Sequence, residues 1–342
     1  MITYKTSSFV NYKDKISESI FNWCLGREGA LNVISPPYNS PNIFVKAILH
    51  FINRNKKVLY ITDENEEKIQ IIRSIKKSTD FRNYSYVRNS FVPANSSLII
   101  SNYKNAVRLK DKYDLVIYDD INNFPKYNNF EIIDLIVKCL NDDGKAICYA
   151  VEGIFKNVRD IIIPTRNNKM PINEPRYVIT RIDLNKDMPY MIYDYLNFST
   201  LNDRKVVIYL PHKEGVYNVF NYLCKFKDSL SKNIMYYIDG EGEGKVLDNF
   251  GKIKKAILVT NDYEEKFANL EDTDIIVYFS DNLLFDYKKL VYFCGKVGRS
   301  KTLRQSEVIF LANSESAHMD RAKDIIRYFN KEAWELGLLS IY

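Results

Sequence analysis

ALNVISPPYNSPNIFVKAILHFINRNKKVLYI, residues 30–61, decides the fold. Ala30 to Ile34 is an apolar run with the length of a buried strand. Ile43, Phe44, Ala47, Ile48, Phe51 and Ile52 then recur at helical spacing, and Val58–Ile61 is a second apolar run. Strand, turn, helix and strand make a βαβ unit, and its turn is where a nucleotide-binding protein keeps its phosphate loop. Such a loop needs glycines, so that its amides can approach phosphate, and a lysine to meet the charge. Here SPPYNSPNIF (35–44) offers three prolines, no glycine and no lysine.

Outward from that unit the same alternation continues. Apolar runs at 98–100, 115–118 and 146–150 are separated by helical patterns at 43–54, 64–78 and 129–141, with Gly144 as a stop signal after the last of these. Such short apolar strands are buried on both faces, which predicts a mostly parallel sheet covered by helices. Residues 153–175 break the alternation with Pro, Asn and basic side chains. Beyond them the scheme repeats, with strands expected at 206–210, 234–238, 256–259, 275–279 and 308–311 and helices at 213–226, 243–252, 285–296 and 315–335. The expectation is two tandem α/β domains, 1–165 and 166–342.

Composition sets limits. A chain of 342 residues can hold two ordinary cores. No apolar run reaches the roughly 18 residues that span a bilayer, and charges and Tyr interrupt the N-terminal stretch, so neither a transmembrane segment nor a signal peptide is expected. That predicts a cytoplasmic protein. Cys24, Cys139, Cys148, Cys224 and Cys294 form no C-x-x-C pair, and His50, His212 and His318 lie far apart, so no zinc is expected. Lys plus Arg total 49 against 43 acidic residues. This mild excess permits a nucleic-acid partner, with the placement of charge deciding.

YDLVIYDDINNFP (113–125) delivers Asp119 and Asp120 at the carboxyl end of a buried strand, the edge of a parallel sheet where ligands bind. In a nucleotide hydrolase the first carboxylate holds Mg²⁺ through water and the second orients the attacking water. The alternative is a polar strand end entering a turn. YFCGKVGRS (292–300) is either a glycine-rich basic turn or a motif that completes such a site from the second half.

That segment resembles the Q-x-x-G-R-x-G-R motif of superfamily 2 helicases. VLYITDE (58–64), LIISNYKNA (98–106), KAICYAVEG (145–153), RKVVIYLPHKEGVYNVFNYL (204–223) and AILVTNDYEEKF (256–267) are similar to further helicase motifs in helicase order. Within the superfamily, DDINNFP (119–125) is similar to the D-E-x-D-A-F-P box of the late-competence DNA-uptake ATPases, the ComFA family. MPINEP (170–175) and a terminal helix at 322–339 also resemble that family; the fourfold-cysteine zinc module that many of its members carry is not expected from this sequence. The resemblance implies two RecA-like domains, with Asp119 as the Mg²⁺ carboxylate, Asp120 beside it, Arg299 as the arginine finger and Lys296 replacing the motif's first arginine.

The phosphate loop then reads as degenerate. Pro37, Tyr38, Asn39, Ser40, Pro41 and Asn42 occupy its place, with Ser40 at the glycine, Pro41 at the lysine and Asn42 at the threonine. Ser40 and Pro41 instead suit a helix N-cap and first helical position, while Tyr12 or Lys13 stands where the family reads adenine. Mg-ATP is therefore expected to bind weakly or not at all. The resemblance implies a single-stranded DNA track over Thr62, Asn102, Lys104, His212, Thr260 and Asn261, with Lys76 and Lys77 in a basic cluster that is otherwise a solvated helix face. DNA-uptake machinery proteins, reached at the inner face of the membrane, are the implied partners. An active ATP-dependent translocase and a non-catalytic interaction scaffold are the alternatives.

Overall fold

The computed structural model describes residues 5–88, 96–241, 245–264, 273–299 and 306–340, with the side chains of 5–11 left aside. Ser300 and residues 265–267, the ends of two quoted motifs, lie outside the described residues, as do 243 and 244 of an expected helix. The chain divides into two compact units, Met1–Lys169 with Glu332–Tyr342, and Met170–Lys331. This differs from the expected division in the last residues of the chain, which group with the first unit.

In the first unit the strands are β1 (Ala30–Ile34), β2 (Val58–Ile61), β3 (Tyr84–Tyr86), β4 (Leu98–Ser101), β5 (Tyr113–Asp119), β6 (Leu140–Ala150) and β7 (Arg159–Ile162). They form one sheet in the order β3-β4-β2-β5-β6-β1-β7, and every neighbouring pair is parallel. Helices α1 (Lys5–Leu25), α2 (Val45–Ile52), α3 (Gln70–Ser78), α4 (Tyr103–Ala106) and α5 (Asn129–Cys139) accompany it. Leu59, Ile61, Ile99, Tyr113 and Val116 pack with Ile132, Leu135 and Ile136 of α5 in one core cluster. A parallel sheet needs both faces covered, because its apolar strands have no wet side to present.

The reading by pattern contains neither α1 nor β3, and two further details depart from it. Residues 153–175 are not a bare connection, since they contain β7, which pairs with β1 from Leu31↔Arg159 to Ile34↔Ile162. As an edge strand, Arg159 and Asp160 keep exposed side chains, which hides it from an apolar-run criterion. Gly144 lies within β6, not after a helix, and a Cβ there would meet Leu140 and the Asn141 carbonyl at 2.9 Å.

In the second unit β8 (Arg176–Ile179), β9 (Lys205–Tyr209), β10 (Ile234–Tyr237), β11 (Ala256–Thr260), β12 (Thr273–Tyr278) and β13 (Val308–Ala312) form a parallel sheet in the order β10-β11-β9-β12-β13-β8. Helices α6 (Tyr190–Leu201), α7 (Lys213–Cys224), α8 (Lys227–Leu230), α9 (Lys245–Lys252), α10 (Tyr287–Lys296) and α11 (Ala317–Glu335) connect and follow the strands. β9, β11, β12 and β13 are buried along their whole length. No described helix is long and apolar enough to cross a membrane.

Asp274 is fully buried at the start of β12. It accepts hydrogen bonds from Ser199 Oγ (3.1 Å) and the Glu307 amide (2.8 Å) and pairs with Arg204. Burial raises its carboxyl pKa, while the amide and the guanidinium oppose the rise. The group ties α6, β9, β12 and the entry to β13 together. Arg204→Met leaves that carboxylate without its cation, and is expected to cost about 3 kcal/mol or more of unfolding free energy in urea. An unchanged midpoint would refute the assignment.

Candidate functional site

All strands of the first sheet point the same way, so their carboxyl ends share one edge. The segment after β1 crosses this edge and is closed by its own hydrogen bonds. The Ser35 amide donates to Ala150 O (3.0 Å), the Tyr38 amide to Ile121 O (2.9 Å), and the Ser40 amide to Asn39 Oδ1 (3.0 Å). Ser40 caps the 3-10 turn Pro41–Phe44 by accepting from the Asn42 amide (3.4 Å), with Pro41 at the first position, as the sequence pattern predicts. Pro36, Pro37 and Pro41 have no N–H to give. Tyr38 takes a left-handed φ of 61°, a conformation glycine adopts without cost.

Asn39 is the hub of the loop and is 1% exposed. Its Nδ2 donates to Ser35 Oγ (2.9 Å) and Thr165 O (3.1 Å), and its Oδ1 accepts from Lys13 Nζ (3.4 Å) as well as from Ser40. Lys13 reaches in from α1 and also donates to Asn167 Oδ1. Burial lowers its pKa to about 8. Of the two residues proposed for the adenine reader's place, Lys13 touches the loop, while Tyr12 donates to Ile162 O on β7 (2.9 Å).

Beside the loop, β5 ends in Asp119, which is 2% exposed. Four donors meet its carboxylate: Tyr60 Oη (2.5 Å) and Asn122 Nδ2 (2.9 Å) on Oδ2, and the amides of Ile121 (3.0 Å) and Asn122 (3.3 Å) on Oδ1. A carboxylate has about four acceptor positions. Burial nevertheless raises its pKa to about 6, with the Tyr60 and Asn122 hydrogen bonds pulling the other way. Asn122 in turn accepts from Gln70 Nε2 (2.8 Å), and the Gln70 amide donates to Glu64 (3.1 Å), so the network runs into the start of α3. Asp120 is also buried and faces a small cleft lined by Thr62, Asp63, Tyr103, Lys126 and Tyr127. Tyr103 and Tyr127 stack there, with ring centres 3.6 Å apart. Tyr149 fills the space between the two halves of the site, donating to Ser35 Oγ (3.3 Å), while its carbonyl accepts from the Asp120 amide (2.9 Å). Among the described residues no group of three or more His, Cys, Asp or Glu is placed to hold a metal ion.

No family model matches the chain. Among curated proteins, competence protein ComFA of Bacillus subtilis (strain 168) is 22% identical over 255 residues, covering 70% of this chain and 53% of ComFA. The chain thus spans about half the length of the curated relative it matches. Among solved structures, a variant of S. cerevisiae Dbp5 bound to RNA and ADP-BeF3 aligns with a TM-score of 0.59 at 11% identity, over 96% of this chain and 92% of that one. The helicase MrfA bound to DNA gives 0.54 at 12% identity, over 92% of this chain and 51% of its own. RecG bound to a three-way DNA junction gives 0.53 at 14%, over 95% and 46%. The chain is similar to ComFA and has the fold of the superfamily 2 helicases. Its two parallel sheets are the tandem RecA-like domains of that fold.

In this ComFA-like chain the implied DNA-contacting residues of the first unit fall into two places. Thr62, Asn102 and Lys104 follow the carboxyl ends of β2 and β4. Thr62 Oγ1 is buried and accepts from the Glu64 amide (3.3 Å) and Asn123 Nδ2 (3.1 Å), so its two lone pairs are engaged. Asn102 caps α4 through the Asn105 amide (2.8 Å), and Lys104 is exposed. Lys76 and Lys77 lie at the opposite edge. α3 starts at the carboxyl edge, where Gln70 meets Asn122, and runs back to the amino end of β3. There Lys76 Nζ sits 5.3 Å from the ring centre of Tyr84, which pairs with the first residue of β4. The grouping of these lysines with Thr62 and Asn102 is therefore corrected: a helix returning antiparallel to its strands carries its last turn away from the ligand edge.

In the second unit Thr260, at the end of β11, is buried and accepts from the Asp262 amide (2.9 Å), while Asn261 accepts from the Asp239 amide (3.0 Å). His212 is exposed at the start of α7. Lys296 is buried, with Nζ donating to the carbonyls of Tyr263 (2.8 Å) and Glu264 (3.3 Å). Arg299 is half-buried after Gly298, whose φ is 62°.

Tyr60, Asn122 and Tyr149 were not among the residues singled out by pattern. The usable signal was a tyrosine inside each of two wholly apolar strands, VLYI and AICYA, because a buried phenol needs a partner.

Asp119 provides a pH test. Its folded pKa of about 6 lies above the ordinary carboxyl value near 4, so the native state holds the extra proton between these values. Its contribution to stability is complete below about pH 4 and is lost as pH rises through 6. Carboxyl NMR is expected to show Asp119 titrating near 6, and higher in Tyr60→Phe, where an opposing hydrogen bond is gone. A titration unmoved by that substitution would refute the geometry.

Proposed function

We propose that this protein binds single-stranded DNA along the carboxyl edges of its two sheets, and that its binding and hydrolysis of ATP are weakened or lost. The observation that carries the second half is the hydrogen-bond accounting of the loop. Phosphate is held in this fold class by loop amides, a lysine and Mg²⁺. Here the amides of Ser35, Tyr38, Ser40 and Asn42 donate inward, three prolines have none, and Pro41 stands where the lysine would. Asp119, the implied Mg²⁺ carboxylate, already accepts four donors. These residues do not fit Mg-ATP as arranged, so no step of a hydrolysis is derived through it. Asp120 and Arg299 keep the charges the family uses, without the cradle that would give them phosphate to act on.

Support for the DNA half is the similarity to a competence protein, the nucleic acids in the related helicase structures, and the exposed Lys104 beside Asn102 at the carboxyl edge. Thr260 and Asn261 supply the corresponding strand end in the second unit. Uptake or processing of single-stranded DNA is the role this implies. The partners are uptake proteins that would bring a cytoplasmic chain to the inner face of the membrane.

The test is a titration of purified protein with Mg-ATP and with a labelled oligo-dT, separately and together. Saturable DNA binding is expected, with steep salt dependence and little DNA-stimulated phosphate release. Lys104→Gln is expected to lower the log–log salt slope by roughly 0.7, the value for one phosphate contact on a single strand. Robust DNA-stimulated hydrolysis abolished by Asp119→Ala would overturn the nucleotide half. Absence of oligo-dT binding at low salt would overturn the DNA half.

A further inference from the structure

The amino edge of the first sheet has a different character from the carboxyl edge. Along it the strand starts lie side by side in the order β3, β4, β2, β5, held by short contacts. The Leu98 amide donates to Asn83 O (3.4 Å), the Val58 amide to Ser97 O (2.9 Å) and the Asp114 amide to Lys57 O (2.9 Å). Neighbouring strands are about 4.8 Å apart, so these four starts cover roughly 14 Å. On this rim stand Lys76 and Lys77 at the end of α3, Arg82 before β3, Lys57 before β2, and Lys110 and Lys112 before β5, all exposed.

These cations are poorly neutralised. Asp114 is engaged by Lys56 Nζ (3.1 Å) and by the Lys57 amide (2.8 Å). Asp80 and Asp111 are the other carboxylates in these segments, and Asp142 and Asp143 lie exposed at the start of β6 beside them. Among the described residues, the ammonium groups of Lys57, Lys77, Lys110 and Lys112 have no carboxylate within 4.0 Å. Arg82 is braced by the carbonyls of Thr79 (2.9 Å) and Phe81 (2.8 Å), and Lys76 lies over the Tyr84 ring. Tyr84 and Tyr86 meet edge-on, with ring centres 5.9 Å apart, and are half-buried on the outermost strand. Like charges gathered on one rim repel one another, and a polyanion or salt relieves that cost.

We propose that this rim is a second nucleic-acid contact surface, which takes the phosphodiester backbone and is separate from the carboxyl-edge track. A row of cations over several strand widths matches an extended polyanion better than a single phosphate. The flanking tyrosines give a base or sugar a face to rest on, as a lipid headgroup would not need. The proposal goes beyond the carboxyl-edge reading and does not require it, since the two surfaces share no residue.

The experiment compares the full chain with a rim variant, Lys57→Gln/Lys77→Gln/Lys112→Gln, and with Lys104→Gln. It uses anisotropy with a labelled single strand and a labelled duplex over a salt series. Thermal unfolding checks that the exposed substitutions leave the fold intact. The rim variant is expected to lower the log–log salt slope by about 2 on a single strand, or by nearly 3 on a duplex, at roughly 0.7 and 0.9 per contact. It is expected to do so equally in the Lys104→Gln background. An unchanged slope on both nucleic acids overturns the proposal. So does an unchanged slope accompanied by loss of binding to phosphatidylglycerol vesicles, which would assign the rim to a membrane. A neutral Lys104→Gln with a sensitive rim would remove the carboxyl-edge track and keep this one.

Discussion

Asn39 has two donors and two acceptor positions, and all four are spent inside the first unit. Through them it joins α1 by Lys13, the end of β1 by Ser35, the segment after β7 by Thr165, and its own neighbour Ser40. A buried amide with a missing partner costs the full desolvation of the orphaned group. Every one of these segments is therefore constrained by the same side chain. The closed loop follows from that constraint: Tyr38 turns left-handed to bring its amide to Ile121, and Ser40 turns back to cap Pro41–Phe44. Asp119 sits next to this arrangement, with four protein donors meeting its carboxylate.

How far the sequence told this in advance depends on distance along the chain. The β1–α2–β2 unit was legible because apolar spacing is local, and so was the capping by Ser40, which involves residues two apart. β7 was not, because an edge strand carries polar side chains where the pattern looks for apolar ones. The doubled aspartate was legible as the end of a strand. That its first carboxylate is taken up by Tyr60, from a strand 59 positions earlier in the chain, was not, because the partner is set by sheet order. Lys76 and Lys77 show the same limit differently. Their spacing marks an exposed helix face, but which edge of the sheet that face adjoins follows only from the direction in which α3 returns.

The two edges of the first sheet divide polarity between them. At the carboxyl edge the polar groups of the loop and Asp119 are paired with neighbouring protein groups. At the amino edge the excess cations are long and exposed, and among the described residues most have no carboxylate within 4.0 Å. The net charge of +6 is thus less informative than its placement. The superfamily 2 helicase fold accommodates this loop because its stability rests on buried parallel strands and their helical cover, and the loop chemistry is an addition to that frame.

On the proposal that this loop has lost its phosphate, the mutual occupation around Asn39 and Asp119 also bears on descent. A phosphate loop that had merely lost its lysine could regain it in one step. Here no single replacement would restore the old state. A lysine at Pro41 would still face amides committed to Ile121 and Ala150, and a carboxylate already held by Tyr60 and Asn122. Releasing any one of those groups alone would strand a buried partner before any ligand compensated for it. Intermediates on the way back are thus less stable than either end, and the change behaves as a ratchet, which lineages can pass through in one direction much more readily than in the other.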